Sequence, residues 1–137
     1  MNLTPVKINY RTTRTAELWS DEEDIAWLAF FPEAELEEED AVEIVRRAAE
    51  TFVGERYVVL ADIRNLKSIS NEARQYFAGR QSEELHNALA ILVGSTATRL
   101  IANFFINFHK PGRPTRVFTD ERKAVKWLKQ FLPKNQR

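Results

Sequence analysis

Two short apolar runs, Tyr57-Val58-Val59-Leu60-Ala61 and Ala88-Leu89-Ala90-Ile91-Leu92-Val93, each bounded by polar residues, constrain this chain more than any other feature. A segment apolar at every position has no face to offer water, so each run reads as a central strand covered on both sides. Helices supply such cover, and helical spacing accompanies both runs. Ahead of the first, Val42, Val45, Ala49 and Phe52, with Ile44 and Ala48 beside them, predict an amphipathic helix with an acidic start and Gly54 as its C-cap. Between the runs, Asn71 to Leu85 carries helix formers, and after the second Leu100, Ile101, Phe104, Phe105 and Phe108 repeat at helical spacing. Pro111, Gly112 and Pro114 mark a turn before a short strand over Thr115 to Thr119. Asp120 then caps a terminal helix with Ala124, Trp127, Leu128 and Phe131 along one side.

Near the N-terminus, Ala16-Glu17-Leu18-Trp19 and Ile25 to Phe31 flank the polar stretch Ser20 to Asp24 and read as a β-hairpin closed by Pro32. The expected order is β-β-α-β-α-β-α-β-α. Right-handed crossovers then demand an α/β fold with a mostly parallel central sheet, an N-terminal antiparallel hairpin and about four helices. With 137 residues and no linker, repeat or low-complexity tract, one domain over residues 1–137 is expected, with 1–15 as a flexible N-terminal arm.

The chain has no cysteine and only two histidines, His86 and His109, so disulfide frameworks and thiolate zinc sites are excluded and no cofactor is expected. No basic leader precedes an apolar stretch and no apolar run approaches about 18 residues. A cytoplasmic protein with no membrane span is the expectation. Net charge is zero but unevenly spread: residues 16–55 hold 14 acidic side chains against Arg46 and Arg47, while 96–137 hold 10 basic ones against Asp120 and Glu121. Such polarity suits solvated helix faces, and also self-association as a homodimer through complementary patches. The basic tail, Lys123, Lys126, Lys129, Lys134 and Arg137, carries no nucleic-acid motif, so nucleic acid is not an expected partner.

The element order, together with Ala61-Asp62-Ile63-Arg64-Asn65-Leu66-Lys67-Ser68-Ile69-Ser70-Asn71-Glu72-Ala73 after the first central run, resembles the STAS fold of SpoIIAA-like anti-sigma factor antagonists. Asp62 to Asn65, Asn103-Phe104-Phe105 and Pro114 to Asp120 resemble a bacterial group of uncharacterised SpoIIAA-like proteins. The resemblance implies a non-enzymatic regulatory module that binds an unidentified protein partner through the loop Ser68, Ser70, Asn71 and Glu72. It puts Ser70 at the family's Asp, Asn71 at its first Ser, Glu72 at its phosphorylated Ser and Ala73 at its Gly. The phosphoacceptor is therefore absent, and Glu72 supplies one negative charge where a phosphoserine brings about −1.5 to −2. Ser70, ahead of Asn71 and Glu72, also has the plainer role of capping the helix that follows.

Ligands of open α/β sheets bind beyond the strand ends, so Asp62 and Arg64 from one loop and Ser95, Thr96 and Arg99 from the next form a second candidate, a small-molecule or anion site. Gly94 to Thr98 lacks the Gly-Lys-Ser/Thr of a P-loop, and an ordinary strand-to-helix turn is the plainer reading of it. Neither histidine adjoins a nucleophile elbow, so no catalytic residue is assigned. The six acids of Glu33 to Asp40 read as a solvated helix start, and Phe104, Phe105, Phe108, Trp127 and Phe131 read as core.

Overall fold

The protein is described by a computed structural model over residues 6–52 and 56–133. The hairpin is β2 (Ala16–Ser20) and β3 (Ile25–Phe30), antiparallel, with Trp19 opposite Trp27 and their rings stacked at 5.5 Å. The apolar runs become β5 (Tyr57–Asp62) and β7 (His86–Leu92), and the last strand is β8 (Thr115–Phe118). Each of β3, β5, β7 and β8 lies parallel to its neighbour in that order. Ile8–Thr12, inside the stretch read as an arm, is a strand as well: β1 pairs antiparallel with β2 and makes the sheet six-stranded. β1 shifts register between Ile8 and Arg11, where Asn9 takes a left-handed φ of 56°, and Lys7 lies 4.2 Å above the Trp19 ring. Asn tolerates that conformation better than most residues.

Both faces of the sheet are covered, which is why the central strands are apolar throughout. On one face α5 (Glu121–Leu128) sets Ala124 and Leu128 against Ile25, Val58, Leu60, Ala88, Ala90 and Leu92. On the other, α1 (Glu38–Thr51), α2 (Asn71–Ala78) and α4 (Thr96–Phe104) bring Ala41, Ile44, Ala73 and Ala102 onto Leu18, Leu28, Ala61 and Ile91. Burying every second residue on each face at about 25 cal/mol per Å² of apolar surface makes these two layers the principal stabilising term.

Four details depart from the sequence reading. The buried stripe of α1 runs through Ala41, Ile44, Val45 and Ala48, leaving Val42 half-buried and Ala49 exposed. α1 ends at Phe52, whose N–H reaches Ala48 O, while Gly54 lies outside the described residues. The helix expected over Asn71 to Leu85 is broken by Gly79, whose extended backbone separates α2 from α3 (Arg80–Glu83) and raises the count to five α-helices among the described residues. Finally, the loop after β5 contains a strand: β6 (Leu66–Ile69) pairs parallel with β4 (Ala34–Leu36) in a small separate sheet.

Candidate functional site

β5, β7 and β8 deliver three connections to one edge of the sheet. At the first, the Asp62 carboxylate accepts from the Arg64 backbone N–H at 3.1 Å, from Arg64 Nε at 2.9 Å and from an Arg64 Nη at 2.7 Å. This bidentate pair raises the pKa of the guanidinium, chiefly through its hydrogen bond to Asp62. Arg64 then lies across Gly94 at the end of β7, where a Cβ would sit 3.0 Å from Arg64 Cγ, and stands 3.8 Å from Glu121 at the start of α5. Arg64 thus meets the connection after β7 at Gly94. Ser95 is committed to the helix: its Oγ accepts from Thr98 N at 3.1 Å, while Gly94 N and Ser95 N donate to Thr98 Oγ1. Thr96 and Arg99 are exposed on the first turn of α4. With two carboxylates beside Arg64 and the Ser95 hydroxyl occupied, this edge holds little unspent capacity for an anion.

The second candidate, Ser68 to Glu72, is a strand-to-helix junction. Ser68 is exposed in β6, and Ser70 is the N-cap of α2, with its Oγ accepting from Ala73 N at 3.1 Å and its N–H donating to Leu36 O at 2.9 Å. Asn71 and Glu72 occupy the exposed first turn of α2, where an acid suits the positive end of the helix. α4 packs beside β6 and the helical segment after it beside α2, so the junction shares a surface with both.

That neighbouring surface is apolar. α4 runs into a π-helical turn, Phe105–His109, ended by Lys110 at a left-handed φ of 44°. Ile101 and Phe105 face inward, but Leu100, Phe104 and Phe108 are 63%, 40% and 69% exposed. Phe104 and Phe108 stack at 4.4 Å, and the Arg74 guanidinium lies 4.5 Å above the Phe104 ring. The core assignment of Phe104 and Phe108 is thereby corrected. Five apolar positions wrap too far around α4 for one sheet-facing stripe of about 100° to absorb them. Trp127 and Phe131 do pack against the α5-side core.

The family model described as a domain of unknown function, DUF7793, matches residues 18–132. The chain belongs to the DUF7793 family. No curated protein sequence matches this DUF7793 chain. Among solved structures, an uncharacterised protein of the DUF3478 family from Shewanella loihica PV-4, described as having a SpoIIAA-like fold, is similar at 17% identity with a TM-score of 0.54. The match covers 93% of this chain and 97% of that one. A protein with unknown function from Arthrobacter sp. FB24 is 24% identical over 81% of this chain and 96% of its own, with a TM-score of 0.33. The SpoIIAA-like fold expected from the sequence is the fold this DUF7793 chain adopts. Among the described residues, no helix is long and apolar enough to cross a membrane.

Two features of the DUF7793 surface escaped sequence reasoning. The outward stripe had a visible signal, the i, i+4, i+8 spacing of Leu100, Phe104 and Phe108 beside the separate pair Ile101 and Phe105. The ion pair of Asp40 with Arg14 had none, since 26 positions separate the partners.

Proposed function

We propose that this DUF7793 chain is a non-enzymatic regulatory module that docks a protein partner on the surface shared by the first turn of α2 and the outer face of α4. The observation that carries the reading is the exposed stripe Leu100, Phe104 and Phe108, on which α2 sets Arg74 over the Phe104 ring. Contiguous exposed aromatics flanked by polar residues characterise interaction surfaces. Thr96 to His109 contains no acid, Arg74 lies over the Phe104 ring, and Arg99 and Lys110 flank the stripe in sequence. The partner is accordingly a protein surface with an apolar centre and an acidic rim, and Glu72 reads one basic group at its edge. Glu72, in the place of the phosphoacceptor serine of anti-sigma factor antagonists, gives a fixed charge, so kinase control at this position does not occur. The alternative of anion binding at the strand ends is disfavoured by the engagement of Arg64 with Asp62.

Affinity capture from native cell extract with wild type, Glu72→Arg and Phe108→Ser, all checked for folding, tests the reading. One protein retained by wild type and lost by both variants supports it. No specific protein, the same set on all three baits, or recovery of only the chain itself overturns it.

A further inference from the structure

His109 ends the π-helical turn with one side of its ring buried and unpaired. Its Nε2 is buried without a hydrogen bond, and its ring centroid lies 6.0 Å from that of Phe104 and 6.2 Å from that of Phe105. The Arg74 guanidinium stands 4.5 Å above the centroid of the same Phe104 ring, so one exposed aromatic side chain borders two basic groups. Arg74 is tethered from Nη1 to Ile69 O at 2.8 Å, and its own Nε is buried without an acceptor.

No acid balances this pair. Among the described residues no carboxylate lies within 4 Å of His109 or Arg74. Of the ionisable groups packed around the turn, α2 supplies Arg74, with Glu72 exposed in its first turn and Tyr76 set against the core. α4 carries only Arg99, exposed in its first turn, Lys110 adds a cation next to His109, and Glu83 of α3 is engaged by the Gly112 N–H. A neutral imidazole is tolerated in this place. An imidazolium has to donate from both nitrogens, one of which has no acceptor here, and it meets a guanidinium that is held in position. Burial and the charge of Arg74 accordingly lower the pKa of His109 from 6.5.

The backbone supplies the freedom to respond. Lys110, left-handed at a φ of 44°, joins the turn to Pro111-Gly112 in a conformation that a lysine adopts at a cost. Gly112 is fixed to α3 by Glu83 and Phe105 is held in the core, so movement is confined to the residues between them. We propose that His109 is an acid-sensitive latch: proton uptake drives its ring from its place beside Phe104 and Phe105 into water, turns the segment 106–110 away from α2 and unstacks Phe104 from Phe108. The latched form holds the proton more weakly than an open form with a solvated imidazole, so falling pH favours the open one. Its consequence for docking rests on the function proposed above; the movement itself does not.

NMR of the full chain from about pH 8 to about pH 4.5 reads the latch without any partner. The chain has two histidines, and the His109 signal is the one missing from His109→Gln. Its midpoint falls below 6.5, and the aromatic signals of Phe104 and Phe108 move with that midpoint while the Leu60 methyl signals of the opposite core layer hold their folded positions. Arg74→Met raises the midpoint toward 6.5, and His109→Gln removes the pH dependence of Phe104 and Phe108. A His109 midpoint at or above 6.5, or Phe104 and Phe108 signals that stay fixed while His109 titrates, overturns the proposal; both are read on wild type, so they decide it even if a variant does not fold. Affinity capture at neutral pH and at about pH 5 reads the consequence for docking. A partner released in acid by wild type but kept by His109→Gln supports it, and a partner kept equally by both overturns it. No partner at either pH counts against the docking surface alone, and the NMR titration still decides the latch.

Discussion

Replacing Asp40 with alanine removes a carboxylate that is 2% exposed and holds three hydrogen bonds. One is the capping interaction at the start of α1, where the Glu37 N–H donates to Asp40 at 2.9 Å; losing it costs about 1 kcal/mol. The other two come from Arg14, whose Nε and an Nη lie 2.8 and 2.5 Å from the carboxylate oxygens. The Arg14 side chain is 63% exposed and regains water when the pair breaks, which keeps this loss small. Asp40→Ala therefore destabilises by about 1 kcal/mol from the cap with a further loss from the pair, and Arg14→Ala, which leaves the cap intact but strips the buried carboxylate of its partner, destabilises as well. Urea unfolding at neutral pH of wild type, both single variants and the double variant measures these values and their coupling. The hydrogen bond from Arg14 is the main influence that lowers the Asp40 pKa from 3.8. Its contribution is thus complete above that value and disappears as pH falls through the lower folded value, so the gap between wild type and Asp40→Ala narrows in acid. An Asp40→Ala cost below about 0.5 kcal/mol, the range of an ordinary surface substitution, or a gap that widens in acid, would refute the reasoning.

Burial lowers the pKa of His86 from 6.5 to about 4, so the unfolded chain binds more protons between those values and stability falls as pH drops through that window. The loss reaches about 3 kcal/mol, and chemical denaturation from pH 7 to 4 should show His86→Gln lacking that slope. Ser70→Ala, which strips the cap from α2, should cost about 1 kcal/mol in the same assay, with Ser70→Asp recovering most of it. Phe108→Ser should change stability by less than about 0.5 kcal/mol while reducing binding of an apolar fluorescent dye, because the ring is 69% exposed.

The central sheet was legible because burial on both faces writes itself into composition: Tyr57 to Ala61 and Ala88 to Val93 admit no polar residue. β1 left no such trace, since all five of its residues are exposed and its membership comes from backbone pairing with β2. β6 was hidden by its shortness, with Leu66 its only buried residue. The caps at Ser70 and Asp120 were legible as local hydrogen-bonding chemistry. The meeting of Arg64 with Gly94 was legible only as proximity of two strand ends, and its closeness depends on an arginine folding back onto Asp62. The half-burial of Val59 and Leu89, on the face opposite fully buried Val58 and Leu60, was not legible, because no pattern along the chain encodes how closely the helices settle over the sheet.

An open sheet ends in a strand whose outer backbone groups can recruit another molecule, and here that strand carries Val6, Ile8 and Tyr10 at or near its exposed margin. The left-handed turn at Asn9 breaks the regular spacing of donors and acceptors along that margin, and Lys7 sets a positive charge beside it. A second chain can therefore align with only part of the edge before its hydrogen bonds fall out of step. The irregularity loses a little pairing between β1 and β2 and, in exchange, leaves this edge of the sheet a poor template for another strand.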